Sequence, residues 1–114
     1  MVEKLTISSD NIYVATVVKI IDTRKLVINR GAHDGIKPGQ RFLIYHLEEE
    51  PIIDPITNES LGHLEIVRGT GKVFHIQERL SIIESDMRRA GPPGFPIDCF
   101  PFDYPQIGDK AKPI

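Results

Sequence analysis

Four histidines, two aspartates and one cysteine are the side chains of this sequence best suited to bind a metal or transfer a proton. They are His33, His46, His63, His75, Asp34, Asp54 and Cys99. No two of them have the spacing of a metal finger, because no His-X-His, His-X3-His or Cys-X2-Cys sequence occurs. The best candidate is His33-Asp34 in a glycine-rich segment, but a loop histidine and a turn-forming aspartate explain both residues. We therefore expect no catalytic residue, no metal and no cofactor.

Sequences typical of nucleophiles and phosphate-binding loops are also missing. Cys99 lies in the apolar run from Phe95 to Phe102, a setting that disfavours the reactive thiolate. The segment Arg68-Gly69-Thr70-Gly71-Lys72 lacks the length and the following helix of a phosphate-binding loop, and we interpret it as a strand turn. An enzyme or ligand-binding protein whose site joins distant residues remains an alternative.

The charge of the chain argues against a general binder of polyanions. The 114 residues carry a formal charge of −2, whereas such proteins normally display a dominant basic field. Residues 1–47 hold seven Lys/Arg against four Asp/Glu, an excess of +3, while residues 48–59 hold five acids and no base. Two such segments could meet between subunits or lie on different faces as solvated surface.

The length fits one domain, residues 1–114, with 40% hydrophobic residues to build a core. The single cysteine excludes an intramolecular disulfide framework. Neither a signal peptide nor a membrane-spanning run is visible. We expect a cytoplasmic protein from the chain as it stands, and a periplasmic or envelope-associated one if the chain is a processed or excised form.

The stretch Val27–Tyr45 organises the predicted fold, since two apolar runs flank a segment with three glycines. We expect Gly31 and Gly35 to take positive φ, and Lys37-Pro38-Gly39 to form a type II turn. Before it, a first strand from Asn11 to Ile21 and a second from Lys25 to Arg30 should form a hairpin around Asp22-Thr23-Arg24. The predicted turn positions are Gly31, Asp34, Gly35, Pro38, Gly39, Asp54, Pro55 and Gly62.

The later strands are predicted from apolar runs and their interruptions. A third strand begins at Phe42 and stops at Glu48-Glu49-Glu50-Pro51, and residues 52–59 form a long exposed hairpin loop. A strand from Leu61 to Arg68 is interrupted at Gly69-Thr70-Gly71, and a last long strand runs over residues 72–83 with a bulge near residues 75–77. Residues 85–91 suggest one capped helical turn. The barrel core thus spans about 12–84, with a closing strand at 106–112.

The segment 87–105 combines prolines with four aromatic residues. Proline removes ladder donors and fixes φ, so the segment should run extended over a surface. Leaving four aromatic side chains in water would forgo about 1.5–3 kcal/mol each. We therefore expect Phe95, Phe100, Phe102 and Tyr104 to dock on this barrel or on a neighbour.

From about Tyr13 to Glu84, these features resemble the C-terminal domain of bacterial flagellar assembly protein T and related small barrels of cell-envelope proteins. The resemblance rests on Val27-Ile28-Asn29-Arg30-Gly31, Asp34-Gly35-Ile36-Lys37-Pro38-Gly39, Ile53-Asp54-Pro55 leading to Leu61-Gly62, Gln77-Glu78-Arg79-Leu80-Ser81 and Ile107-Gly108-Asp109-Lys110. It implies an all-β, SH3-like barrel of five to seven antiparallel strands that serves in interaction or assembly, with no catalytic residue to carry over. Asn58 stands where that family usually has glycine. Asparagine tolerates the left-handed backbone geometry that such a turn position requires. Segment 87–105 is an addition to the family pattern.

We accordingly predict a non-enzymatic protein-interaction or assembly module that self-associates or docks onto a larger assembly. The candidate interface residues are Glu48, Glu49, Glu50, Phe95, Phe100, Phe102 and Tyr104. The alternative is a small barrel that binds single-stranded nucleic acid through Lys19, Arg24, Lys25, Arg30, Lys37 and Arg41. This alternative is not favoured, because the aromatic residues near these charges lie in apolar runs typical of a core.

Overall fold

The structure, a computed structural model, describes residues 14–89, 93 and 98–114, with residues 89, 98 and 99 described by their backbone alone. Within these residues there is no α-helix, and one short 3-10 turn occurs at Ala32–Asp34. The strands are β1 (Ala15–Asp22), β2 (Lys25–Ile28), β3 (Arg41–Ile53), β4 (Ser60–Ile76), β5 (Ser81–Ser85), β6 (Arg88–Arg89), β7 (Asp98–Cys99) and β8 (Lys110–Pro113).

Six of the strands close into a ring. They pair antiparallel in the order β1-β2-β5-β4-β3-β8, and β8 pairs in turn with β1. The last strand of the chain therefore lies between the first and the third. The predicted all-β class is confirmed, and so is the β1–β2 hairpin around Thr23 and Arg24.

The core lies inside this ring and is made by alternate residues of its strands. Side chains almost fully removed from solvent include Val17, Leu26, Ile28, Phe42, Ile44 and Ile83. Each contributes about 1.5–3 kcal/mol of burial free energy if exposed in the unfolded chain. Leu26 and Ile28 share a face of β2 as their spacing predicted, but Val27 between them is also buried.

The connection from β2 to β3 forms the predicted turns with one difference. Gly35 and Gly39 have φ of 84° and 77°, and the amide of Gln40 donates to the carbonyl of Lys37 across the Pro38-Gly39 turn. Gly31, by contrast, is extended, with φ of −141°. A Cβ there would lie 2.3 Å from the carbonyl oxygen of Gln77, so this glycine provides space rather than left-handed geometry.

β3 and β4 are much longer than predicted. β3 continues through Glu48-Glu49-Glu50-Pro51 to Ile53, and β4 runs unbroken from Ser60 to Ile76. The Gly69-Thr70-Gly71 segment lies inside β4 and does not interrupt it. A Cβ on Gly69 or on Gly71 would collide with neighbours that include Phe102, so both glycines make room for that ring.

The expected long strand over 72–83 is in fact two strands. β4 and β5 are joined by a turn over 77–80, in which Gln77 and Leu80 are hydrogen-bonded through their backbones. The register shift in this hairpin falls between Val73 and His75, slightly before the predicted bulge.

The predicted helical turn at 85–91 is wrong over its described residues. Ser85 ends β5, its hydroxyl donates to the carbonyl of Phe100, and β6 pairs with β7. Residues 106–109 form a turn, so the closing strand starts at Lys110 rather than at 106. Across the described residues, no helix is long and apolar enough to cross a membrane.

Candidate functional site

The strands β3 and β4 extend beyond the ring as a two-stranded arm. β8 pairs with β3 only from Phe42 to Tyr45, and β5 pairs with β4 only from Gly71 to Ile76. Residues 46–67, which we call the arm, therefore pair only with each other among the described strands. Their outer backbone edges are not covered by another described strand.

The turn at the tip of the arm is built by Asp54. Its Oδ1 accepts hydrogen bonds from the amides of Ile56 and Thr57, at 2.8 and 3.5 Å, and its carbonyl accepts one from Asn58. Asn58 has φ of 63°, as the turn requires and as asparagine tolerates. The sequence predicted these turn positions, although it placed them in a loop rather than at the end of two paired strands.

The arm exposes an unusual amount of apolar surface for so short a segment. Seven large apolar side chains have relative exposures between 39% and 91%. They are Leu47, Ile52, Ile53, Ile56, Leu61, Leu64 and Val67. So many exposed large apolar side chains on one short segment are typical of a protein contact.

The two outer edges of the arm differ in chemistry. On β3, Glu48, Glu49 and Glu50 lie opposite the single residue Leu64 in a bulge, and Pro51 follows within the strand. Charge, bulge and proline are the devices by which proteins prevent an edge strand from pairing. On β4, His63 and the residues from Glu65 to Val67 pair with β3, while Leu64 lies opposite the β3 bulge; the extra residues of that bulge are on β3, and this part of β4 carries one acid, Glu65.

A buried carboxylate fixes the base of the arm. Asp109, completely buried, accepts hydrogen bonds from Nδ1 of His46 at 3.0 Å, from Nε of Arg68 at 3.2 Å and from the amide of Gln106 at 2.8 Å. Its carbonyl also accepts the amide of Val17. Asp109 thus joins β1, β3 and β4 at the point where the arm leaves the ring.

This cluster orients a histidine but does not form a recognisable catalytic site. The carboxylate is an acceptor, so Nδ1 of His46 carries the proton, and Nε2 lies 4.0 Å from a carboxylate oxygen of Glu48. Among the described residues, no three His, Cys, Asp or Glu side chains are grouped so that they could hold a metal ion. The cluster connects β3 and β4 at the base of the arm through one buried carboxylate.

Sequence reasoning did not find this cluster. His46 and Asp109 are separated by 63 residues, and the favoured pair was His33-Asp34. In the structure, Asp34 accepts the amide of Gly31 and shapes the 3-10 turn, which is the structural role the residues alone suggested. The only sequence signal for Asp109 is an acid at the end of the turn before β8.

A second contact braces the arm from the other face. Nζ of Lys112 lies 2.9 Å from Glu65 and 4.8 Å from the ring centre of Tyr45. Burial raises the pKa of Tyr45 above its ordinary value, Lys112 opposes this shift and Glu65 reinforces it. An exposed ion pair such as Lys112–Glu65 adds little stability. It connects a side chain of β8 with a side chain of the arm.

Two open depressions flank His46 at the base of the arm. The first, of about 420 Å³, is lined by Glu48, Glu49, Glu50, Ile52 and Leu64 besides His46 itself. The second, of about 370 Å³, lies toward Ile107 and Lys110. Acidic and apolar side chains line the first depression together, so it lacks the converging donors of an anion site.

The candidate interface residues do not form one surface. Glu48, Glu49 and Glu50 lie on the arm, whereas Phe100 and Tyr104 are exposed elsewhere, on the segment that follows β7. Phe102 packs into the core of its own chain, 3% exposed, so it is not available to a partner. Phe95 lies outside the described residues.

The basic residues considered for nucleic-acid binding are partly engaged in other contacts. Arg41 contacts Asp86 at 2.6 Å, and Lys25 lies 3.9 Å from Glu84 and 5.4 Å from the ring centre of Phe74. These contacts pair the cations with acids of the same chain instead of aligning them in a groove.

Comparison with known proteins adds no relative. No protein-family model matches the chain, and no curated protein matches its sequence.

Proposed function

We propose that the chain is a non-enzymatic protein-interaction module that self-associates through the outer edge of β4 in the arm. The observation that carries this proposal is the arm itself, with two open edges and seven exposed large apolar side chains. An isolated two-stranded hairpin is marginally stable in water. Pairing of the arm with a further strand would supply backbone hydrogen bonds and cover its apolar side chains.

Of the two edges, β4 is the one suited to pairing. A strand added to β3 would meet the bulge at Glu48-Glu49-Glu50 and the missing amide of Pro51. A strand added to β4 would meet the backbone from His63 to Val67, which has no extra residue of its own and includes the exposed Leu64 and Val67.

The partner we assign is a second copy of the chain. When the β4 edges of two copies pair antiparallel about a two-fold axis, His63 of each copy can lie opposite Glu65 of the other. An imidazole and a carboxylate can pair across two strands, while like charges oppose such pairing. The β3 edge fails this criterion, since its three glutamates would face one another.

We also infer that the ring is an SH3-like barrel, as the resemblance to flagellar assembly protein T implies, with the segment 87–105 as an addition to that family's pattern. The inference is supported by the turns at Gly35 and Gly39 before β3 and by the C-terminal strand between β1 and β3.

Sedimentation equilibrium or light scattering tests the proposal. We expect the native chain to show twice its 12.9 kDa mass, and Leu64→Lys to show the mass of one chain. Val18→Lys is the matched control, because Val18 lies in β1 and is 43% exposed against 48% for Leu64. This control should remain dimeric.

Two results would contradict the proposal. One is a native protein that stays monomeric at high concentration. The other is a dimer that Val18→Lys and Leu64→Lys affect equally. Circular dichroism of each variant verifies that the fold is retained.

A further inference from the structure

The register of the proposed dimer can be derived from the β4 edge, on the condition that the proposed self-association is correct. We propose that the two-fold axis passes through Leu64, so that Leu64 lies opposite Leu64 of the second copy and His63 lies opposite Glu65. The two arms then form one four-stranded sheet with both β4 strands at its centre.

The backbone limits where the pairing can occur. Arg68 is the extra residue of one register shift, and its carbonyl is already bonded by the amide of Asp103. On the other side, Gly62 has φ of 100° next to a second register shift. The regular edge available to a partner strand is therefore centred on residues 63–67.

Symmetry limits the registers further. Successive side chains alternate between the faces of a strand, and a two-fold axis perpendicular to the sheet keeps each side chain on its own face. One residue must therefore lie opposite its own copy. Centring on Ile66 or Val67 would pair Arg68, whose carbonyl is already bonded, with Leu64 or Ile66, so the choices are His63, Leu64 and Glu65.

The side chains select Leu64 among these three. Centring on Glu65 brings the two Glu65 carboxylates together, which opposes pairing. Centring on His63 places two imidazoles together and leaves Glu65 opposite the apolar Leu61. Centring on Leu64 pairs an apolar residue with itself, matches His63 with Glu65 twice, and places Ile66 opposite Gly62, where there is room for its side chain.

The orientation of His63 agrees with this arrangement. Its Nδ1 donates to the carbonyl of Glu48 within the arm, at 2.8 Å. The imidazole is thereby fixed through Nδ1, and Nε2 would donate to Glu65 of the second copy when that nitrogen also carries a proton. In the four-stranded sheet, the glutamates of the two β3 bulges lie on the outer edges, separated by both β4 strands.

Cysteine cross-linking tests the register. Single cysteines replace His63, Leu64 or Glu65 in a Cys99→Ser background, and each protein is oxidised at a concentration at which the parent is dimeric. Directly opposed residues in an antiparallel pair have Cα atoms about 4.5–5.5 Å apart, within the range of a disulfide. We expect Leu64→Cys to cross-link at least about tenfold faster than the other two, whose own copies lie two positions away in the ladder.

The outcomes separate the register from the self-association. A dimer that cross-links fastest at residue 63 or 65 overturns the register, and so does one that cross-links equally slowly at all three positions. In both cases the chain still self-associates, but through another alignment or another surface. A background protein that is monomeric by sedimentation overturns the proposed function itself.

A charge exchange gives an independent measurement. His63→Glu alone places two pairs of glutamates opposite each other and should weaken the dimer about tenfold. The double variant His63→Glu with Glu65→His restores opposed pairs and should recover affinity to within about threefold. The double variant also loses the Lys112–Glu65 contact within each chain. Lys112→Gln removes that contact alone, and as the control it should leave the dissociation constant of the dimer nearly unchanged. Failure of the double variant to recover contradicts the register.

Discussion

Gly31 is required for the space it leaves rather than for its backbone angle. The amides of Ala32 and His33 donate to the carbonyls of Gln77 and Glu78, and these bonds bring the two loops into contact. A Cβ on Gly31 would lie within 2.6 Å of backbone atoms of Gln77 and Leu80, which cannot rotate away. Gly31→Ala should therefore destabilise the protein by about 3 kcal/mol, the upper part of the range for overpacking.

Gly35→Ala is the matched comparison for Gly31→Ala. Gly35 has positive φ, but nothing lies within 4 Å of the position of its Cβ. The cost should be limited to left-handed strain of about 1 kcal/mol. Chemical denaturation of both variants measures the difference, and a larger loss for Gly35→Ala would refute the steric explanation.

Asp86 makes the stability of the ring dependent on pH. Burial raises the pKa of this carboxyl, but hydrogen bonds from Arg41 and Thr70 and the charge of Arg41 outweigh burial, so the pKa is lowered. A carboxyl group whose pKa is lower in the folded than in the unfolded protein adds stability at pH values above its unfolded-state pKa. This stability is lost as the pH falls through the folded-state pKa. We expect the free energy of unfolding to decrease below about pH 4.

Denaturation at several pH values checks this dependence. Asp86→Asn should be less stable at neutral pH and should show a flatter stability profile below about pH 4. Asp103→Asn is the control. Asp103 is exposed, and its amide donates to the carbonyl of Arg68 in β4, the strand that also contains Thr70. Equal profiles for Asp86→Asn and the native protein would show that the Arg41 contact does not act in solution.

At the residue scale, the sequence predicts local geometry better than long-range contacts. Gly39 and Asn58 have the positive φ that their neighbours in sequence indicated. The function of Gly31 and the His46–Asp109 contact depend on segments 46 and 63 residues away, and no local signal specifies them. A glycine in a sequence shows that space or angle is needed, but not which of the two.

At the element scale, the arm is the feature that sequence patterns described least well. Glu48-Glu49-Glu50-Pro51 has low strand propensity and was interpreted as a stop, yet β4 pairs across it and accommodates it as a bulge. Ser85 has the chemistry of a helix cap and its hydroxyl accepts the amide of Met87, but the same hydroxyl donates to Phe100 and β6 follows in place of a helix. The β1–β2 hairpin was predicted correctly because its turn and both strands are adjacent in sequence.

The arm should be separable from the ring. Leu47 and Glu65 lie directly opposite each other, so an Asn-Gly turn could replace residues 48–64 and close the hairpin there. We expect this variant to remain folded by circular dichroism and to be monomeric, because the ring contacts of β3 and β4 lie outside the deleted residues. Ile56→Ser, at the tip of the arm, is the control and should remain dimeric. Loss of the folded ring in the shortened variant would show that the arm belongs to the core.

At the scale of the whole molecule, self-association should appear in the thermal stability. A partner that binds only the folded chain raises the melting temperature with concentration. Calorimetry of the native protein over a hundredfold concentration range should show this rise, and Leu64→Lys should show a constant melting temperature. A constant value for both proteins, with the native protein dimeric, would mean that the dimer adds no stability to the fold.

The position of β8 also determines the order in which the molecule can fold. Ala15 of β1 and Ile44 of β3 both pair with Ala111, so the ring has a gap until β8 is in place. Contacts between such distant residues slow folding, because the intervening chain must first be brought together. A nascent chain that lacks residues 110–113 exposes the edges of β1 and β3 as well as that of β4. We expect strand exchange between neighbouring chains to compete with closure of the ring while β8 is not yet in place.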